Sequence, residues 1–485
     1  MKNTLKYMLL CGFFFLASCA DLLDIDPKQS VDTTTALNTL ENINAAITDV
    51  YVSLKSTAIY GRDLISTVEA LGDDSRIINR AGGRYNNEGN NVINSHIGGW
   101  ATYYTAINKA NLVLKALPLL PKGTIATAKQ DELEGEVKFL RALMYFNLVR
   151  IYAFDPKVAI AALDKGGVPL LLDGVNAVAE VSYPERASIA DVYTQLYKDL
   201  TDAIAKSPTT GGPNRATKAA ANALFARVAL YNEDWDNAIK YSTDALAGGV
   251  GRFVASSEYV AAWRAASHPE SIFEILFQTR QENIGVNESI QSAFTTIGSV
   301  SEATALAALR PTPLPVANGW GAVVPTTALL ALYDSIDVRK GLYQLGLNRS
   351  NTITTESTKF LGKSGIVFMD NVPVIRISEL YLIRAEAYAK KDKLVESLLD
   401  VNRIRTRAGI AVSTAATSAA LLTEIEKQRR LELAFEGHRW FDLKRTGKDV
   451  VKTTGNVPYG DTRRLAPLPT SEVLVNKKLV QNAGY

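Results

Sequence analysis

Between Glu432 and Asp442 the sequence crowds four groups that hold or move protons: Glu432, Glu436, His438 and Asp442. Paired carboxylates beside an imidazole are the material of general acid–base catalysis. A helix that reads from about Glu424, if it runs on to Glu436, sets Glu432 and Glu436 one turn apart on the same face. Against catalysis, Arg429, Arg430, Arg439, Lys444 and Arg445 interleave with these acids, and cations in such number make the ion pairs that hold a fold together. A zinc centre wants several ligands at suitable spacing, yet His96, His268 and His438 are far apart and H-x-x-x-H is absent. Neither G-x-S-x-G nor G-x-x-x-x-G-K-[ST] occurs. The segment is therefore expected to be structural, and the chain to be no enzyme and to use no cofactor. Asp73, Asp74, Asp334 and Asp337 are the carboxylates of the kind that hold a structural calcium ion.

A different chemistry sits near the start. Lys2 and Lys6 precede an apolar run from Tyr7 to Ala17 that is too short to span a bilayer, and small residues follow. Leu16-Ala17-Ser18-Cys19 resembles the lipobox of bacterial lipoproteins, where the thiol takes a diacylglycerol and cleavage makes the cysteine the first residue. Residues 1–18 are thus expected to be a signal peptide and Cys19 a lipid anchor, with no transmembrane helix required. The other cysteine, Cys11, leaves with the leader, so no disulfide framework follows. Asp21, Asp24 and Asp26 look like surface-export signals, which orients the body outward. The formal net charge is +3 at pH 7, and removing Lys2 and Lys6 brings it closer to neutral, which argues against a nucleic-acid partner.

A third group of residues suits ligand binding without turnover. Trp320 stands between Gly319 and Gly321, and Tyr85 lies in a run of amides and glycines with Arg84, Asn86 and Asn87. A flat aromatic face takes the C–H side of a sugar ring, and amide or guanidinium donors take its hydroxyls. Trp320, Tyr85, Arg84, Asn86 and Asn87 are the candidate ligand-binding residues. Trp100 and Trp235 sit in helices and are expected to be core; Trp263 fits either role.

What must position these groups is mostly helix. Apolar residues at 3.6-residue spacing predict helices over Ser30–Tyr60, Trp100–Leu117, Asp131–Tyr152, Ile189–Ile204, Thr217–Tyr231 and Trp235–Leu246. Arg141-to-Tyr145, Arg227-to-Tyr231 and Arg384-to-Tyr388 share R-[AV]-x-x-Y, a loose repeat of tetratricopeptide-like helix pairs. The expected organisation is a helical region over residues 19–247, then a second region over 248–485. That second region contains a loop-rich stretch, 248–374, and a further helix pair, 376–407. Irregular chain of that length inside a compact protein is usually functional. A second irregular island spans Asp73 to Gly99, and the two islands are expected to meet over the scaffold.

The C-terminal run RRLELAFEGHRWFDLKRTG, Arg429 to Gly447, and the tail LAPLPTSEVLVNKKLVQNAGY resemble signatures of the SusD/RagB-type outer-membrane lipoproteins. So do, in chain order, CADLLDIDP, WATYYTAINKANLVL, EVKFLRALMYFNLVRIYA and ELYLIRAEAYAKKDK. The tail departs from that pattern at Ala483, where proline is usual, and the loop near Gly82 is this chain's own. The resemblance implies a mainly α, α/α superhelical scaffold of four tetratricopeptide-like pairs with an irregular C-terminal half. It also implies an outer-membrane lipoprotein that takes an oligosaccharide or other nutrient to a SusC-like TonB-dependent transporter. Alternatives are a RagB-like peptide binder and a carbohydrate-active enzyme.

Overall fold

The computed structural model describes residues 37–78, 82–121, 123, 125–297, 319–347, 353–362 and 366–485. Its helices run α1 Leu40–Leu54, α2 Trp100–Ala116, α3 Thr127–Tyr152, α4 Ile189–Lys206, α5 Lys218–Tyr231 and α6 Trp235–Ala247. After a long interval come α7 Ile377–Lys390, α8 Leu394–Arg407, α9 Ser418–Glu432 and α10 Arg439–Arg445. Side chains cap many of the starts: Thr39, Ser188, Thr217, Asp234 and Thr417 each accept a first-turn N–H. Each helix from α1 to α8 packs on the next, giving four consecutive pairs in a stack.

Helices in the middle of this stack are not amphipathic. Every residue of α3 from Phe139 to Tyr152 is buried, and so is every residue of α5 from Ala219 to Tyr231. Six alanines on α5 let its neighbours close in from all sides. Such burial would strand the repeated arginines, were each not tied to a carboxylate by two bonds. Arg141 on α3 holds Asp199 on α4 at 2.8 and 2.6 Å, and Arg384 on α7 holds Asp400 on α8 at 2.7 and 2.8 Å. Arg227 on α5 reaches Glu379 on α7 at 2.7 and 2.5 Å. The repeat signature is thus a set of clamps, two within helix pairs and one between them.

Two helix boundaries differ from the sequence expectation. Of the helix expected over Ser30–Tyr60, the described part is helical from Leu40 to Leu54. The helix expected to reach Glu436 stops at Glu432, because Phe435 (φ 64°) and Gly437 (φ 77°) take left-handed backbone.

The irregular half is stitched by two-stranded antiparallel pairings. Strands β1 Ser75–Ile77, β2 Ser271–Ile275, β3 Val323–Pro325, β4 Tyr343–Leu347, β5 Ile353–Ser357 and β6 Val372–Arg376 pair as β1–β3, β2–β6 and β4–β5. The first of these sets Ser75 opposite Pro325 and Ile77 opposite Val323, so the two irregular islands do meet.

Candidate functional site

The β1–β3 pairing brings the loop after β1 alongside the segment before β3. There the Arg84 guanidinium lies 5.0 Å from the centre of the Trp320 ring, a cation–π contact, and donates to the backbone carbonyl of Asn287. Trp320 is half-buried, and its backbone N–H donates to Ser292 O at 2.9 Å. Gly319 makes this approach feasible: a Cβ there would fall 2.2 Å from the Thr295 carbonyl oxygen. Asn287, whose carbonyl takes the Arg84 bond, is exposed, as is Asn87 three residues after Arg84, and Asn86 opens a short helix, Asn86–Gly89, with its carbonyl accepting from Asn90.

Tyr85 is placed differently from its neighbour. It adopts left-handed backbone (φ 60°), its hydroxyl lies 3.0 Å from Ser66 Oγ, and its ring packs on the core. Burial pushes its phenol up to about 12. The polar end of Tyr85 therefore points inward, whereas Arg84, Trp320 and the asparagines form the outer face. Sequence reasoning missed Asn287; the amide- and glycine-rich texture of Asn283-Ile-Gly-Val-Asn287 is the signal that pointed to it.

The other tryptophans resolve as follows. Trp100 and Trp263 are buried in the core, and Trp235 is half-buried at the start of α6.

The acids of the signature segment end up sealed. Glu432 is fully buried and receives Arg376 at 2.8 Å, Arg407 at 2.6 Å and Arg339 at 3.4 Å. Glu436 receives Arg376 at 2.8 Å and Lys359 at 2.6 Å. Burial raises the Glu432 carboxyl, but the three guanidiniums outweigh it and hold it well below the usual carboxylate range. Although no common helix face joins them, both acids converge on Arg376, which also bonds Glu270 at 3.0 Å. This network ties β6, α8 and the end of α9 into one body. Asp442 is shared by Arg429 at 3.1 Å and Arg445 at 2.8 Å. His438 is lowered to about 4 by burial, with Arg227 and Arg429 adding to it, so the imidazole is neutral near pH 7.

Gly437 explains part of the signature's spelling. A Cβ there would meet the Leu64 carbonyl oxygen at 2.1 Å, and its N–H donates to Glu69 Oε1 at 2.9 Å. Glu69 is itself fully buried, and burial with Asp74 nearby raises it to about 8. Asp73 and Asp74 pair with Arg439 and Arg430 at 2.7 and 2.5 Å, and Asp337 with Arg339 at 2.7 Å. Asp334 accepts from the Ile336 N–H at 3.2 Å. Among the described residues no three His, Cys, Asp or Glu side chains gather as a metal site. Cys19 lies outside the described residues, and no helix among those described is long and apolar enough to cross a membrane.

A stack of helix pairs with inserted loops that raise an aromatic, amide-rimmed face defines a helical-repeat scaffold protein. This chain belongs to the SusD family: the model described as SusD family matches residues 354–485, and one described as starch-binding, associating with outer membrane, matches residues 21–230. It is similar to SusD-like protein P2 of Formosa agariphila, 24% identical over 520 residues that cover 97% of each chain. Among solved structures it resembles a SusD superfamily protein from Bacteroides thetaiotaomicron, with a TM-score of 0.80 at 23% identity over 92% of this chain and 99% of that one. A laminarin-binding SusD-like protein superposes with a TM-score of 0.72 at 24% identity, covering 92% of this chain and all of that one. At these identities the structural likeness carries the fold.

Proposed function

We propose that this protein is a lipid-anchored, outward-facing glycan-binding protein that passes its ligand to a SusC-like TonB-dependent transporter without chemical turnover. The observation that carries the reading is the meeting of the two loop islands, which sets Trp320 under Arg84 with Asn86, Asn87 and Asn287 nearby. An indole face and a rim of neutral amides match the two sides of a pyranose. Binding without turnover is supported by the state of the acids: Glu432 and Glu436 are buried and held by cations rather than presented to a ligand. The laminarin-binding relative makes β-glucans the first ligands to try. The anchor is Cys19, in the lipobox, and a lipid tether that confines protein and barrel to one membrane raises their effective concentration.

Titrating the purified protein with a panel of polysaccharides and peptides, while assaying for product release, tests this. The expected result is saturable binding of a glycan, no product, and weakened binding in Trp320→Ala. Product release would make the protein an enzyme, and binding of peptides alone would make it a peptide receptor. Co-purification of a barrel in mild detergent checks the delivery step.

A further inference from the structure

The loop over residues 283–289 presents Asn287 beside the Arg84–Trp320 contact, and its own hydrogen bonds are local. The Gly285 N–H donates to Asn283 Oδ1 at 2.7 Å, and the N–H groups of Glu288 and Ser289 both donate to Gly285 O, at 3.2 and 3.0 Å. Such bonds shape a loop without deciding where it sits. Its placement comes from residues far away in the chain. At one end Asn283 Nδ2 donates to Val367 O at 2.7 Å, and at the other Glu288 forms an ion pair with Arg62, in the turns that follow α1. Just before the loop, Glu282 pairs with Lys55, the residue that ends α1.

Arg62 is placed to serve both islands at once. Its Nε donates to Asp63 at 2.7 Å, which aims the guanidinium, and its carbonyl accepts from Ser66 Oγ at 3.1 Å. Ser66 Oγ in turn lies 3.0 Å from the Tyr85 hydroxyl, and Tyr85 and Glu88, both on the 73–99 island, are within electrostatic reach of the guanidinium. On the other side of the ion pair, Ser289 follows Glu288 and caps the short helix Ile290–Phe294 by accepting from the Ser292 N–H at 3.0 Å. The Ser292 carbonyl is the one that takes the Trp320 N–H. One ion pair thus ties the ground beneath Tyr85 to the loop that carries Asn287 and to the helix on which Trp320 rests. Arg84 holds the same loop from the outer face, through the Asn287 carbonyl.

We propose that Arg62 and Glu288 are positioning residues of the glycan face, whose ion pair holds the 283–289 loop against the 73–99 island and so sets Asn287 relative to Arg84 and Trp320. This inference rests on the reading of that face as the glycan site. The pair acts through Asn287 and not by touching the sugar. Because the Glu288 side chain is 41% exposed, salt screens the pair. Affinity for an uncharged glycan then acquires a dependence on ionic strength that the ligand itself does not bring.

Hydrogen exchange of the full chain in mild detergent, without ligand, tests the placement first. Glu288→Gln keeps the shape and removes the charge. It is expected to speed exchange over residues 283–289 by about two- to fivefold, the worth of a partly exposed ion pair, with α5 unchanged. Unchanged exchange across the loop overturns the proposal, whether or not a glycan binds. Calorimetric titration with laminarin then reads the consequence. Glu288→Gln is expected to bind it about two- to fivefold more weakly than the parent, at a melting temperature little altered. The parent is expected to lose affinity between about 0.05 and 0.5 M sodium chloride, and the variant to lose less. Equal affinity of the two proteins, or equal dependence on salt, overturns the positioning role. Arg62→Gln combined with Glu288→Gln is expected to weaken binding no more than either change alone, and effects that multiply would show that the two residues act apart. Failure of the parent to bind laminarin would count against the glycan reading, and the exchange result would still decide the role of the pair.

Discussion

Arg376 and Arg84 each lie against an indole, Trp263 for the first at 5.6 Å and Trp320 for the second at 5.0 Å, and their surroundings differ in almost every other respect. Arg376 is 1% exposed and divides its donors among Glu270, Glu432 and Glu436, while Trp263 is fully buried. Arg84 is half-buried, makes its hydrogen bond to a backbone carbonyl, and sits on a ring that is itself only partly covered. The first pair has its charges matched by carboxylates inside the protein, so it is committed to holding the fold. The second keeps a half-buried ring and exposed amide neighbours, the surface on which the proposed glycan site lies. Similar residue chemistry thus reads as architecture in one place and as a site in the other, and burial of the partners is what separates them.

That contrast breaks most visibly at Arg376. Arg376→Ala leaves Glu270, Glu432 and Glu436 without their shared cation, and removing one partner of a buried ion pair typically costs about 3–5 kcal/mol. The expected outcome is a large fall in unfolding free energy by urea titration, up to loss of the folded protein on expression. A cost below about 1 kcal/mol would mean that water reaches these acids.

Glu69 shows the opposite electrostatic condition within the same buried region. Its carboxyl is raised to about 8 in the folded protein, against about 4.3 in an unfolded chain. The folded state therefore keeps a proton that the unfolded state gives up, and this contribution to stability is complete below about pH 4.3. It is lost as pH rises through about 8. Glu69→Gln keeps the acceptor for the Gly437 N–H and cannot ionise. It is expected to be more stable than the parent at pH 9, on the order of 2–4 kcal/mol, and to level the decline between pH 5 and 9. Parallel stability profiles for the two proteins would show that Glu69 is ionised in the fold.

On the exposed side the effect moves from stability to affinity. Trp320→Ala removes a stacking ring, worth about 1–3 kcal/mol by analogy with bases stacked on aromatics. Binding of the glycan is expected to weaken by roughly 5- to 150-fold with little change in melting temperature. A large drop in melting temperature would instead move Trp320 into the class of Trp263.

The two regions were also unequally legible in the sequence. Helices were readable where local spacing decides the structure: α2 starts at Trp100, α5 ends at Tyr231, and α6 starts at Trp235, as the periodicity predicts. The repeated arginines marked the scaffold, but nothing local tells that Arg227 skips to Glu379 while Arg141 and Arg384 clamp within their pairs. The stop at Glu432 was hidden because a non-glycine residue, Phe435, takes left-handed backbone, which propensity does not foresee. Only composition points to the meeting of the islands. Its register depends on three-residue strands far apart in the chain, too short for any alternation to show. Composition makes both Arg84 and Trp320 candidates, yet their contact with one another, and the inward turn of the Tyr85 hydroxyl, belong to tertiary geometry that no spacing encodes.

Arg84 gives the smallest effect and the sharpest distinction. Its cation–π contact and its bond to Asn287 are both half-exposed, so Arg84→Ala is expected to cost only about 0.5–1 kcal/mol of stability. For binding, the side chain either donates to the ligand or covers the ring that the ligand needs. Its remaining N–H groups beside a neutral amide rim favour donation, so glycan affinity is expected to fall by about 2- to 10-fold, the worth of one modest hydrogen bond. Combining Arg84→Ala with Trp320→Ala in a double-mutant cycle isolates the coupling between the two. A coupling near zero would mean that ring and guanidinium serve the ligand separately. A gain in affinity on removing Arg84 would mean that the guanidinium holds the sugar's own place on the indole, and that binding requires it to swing away.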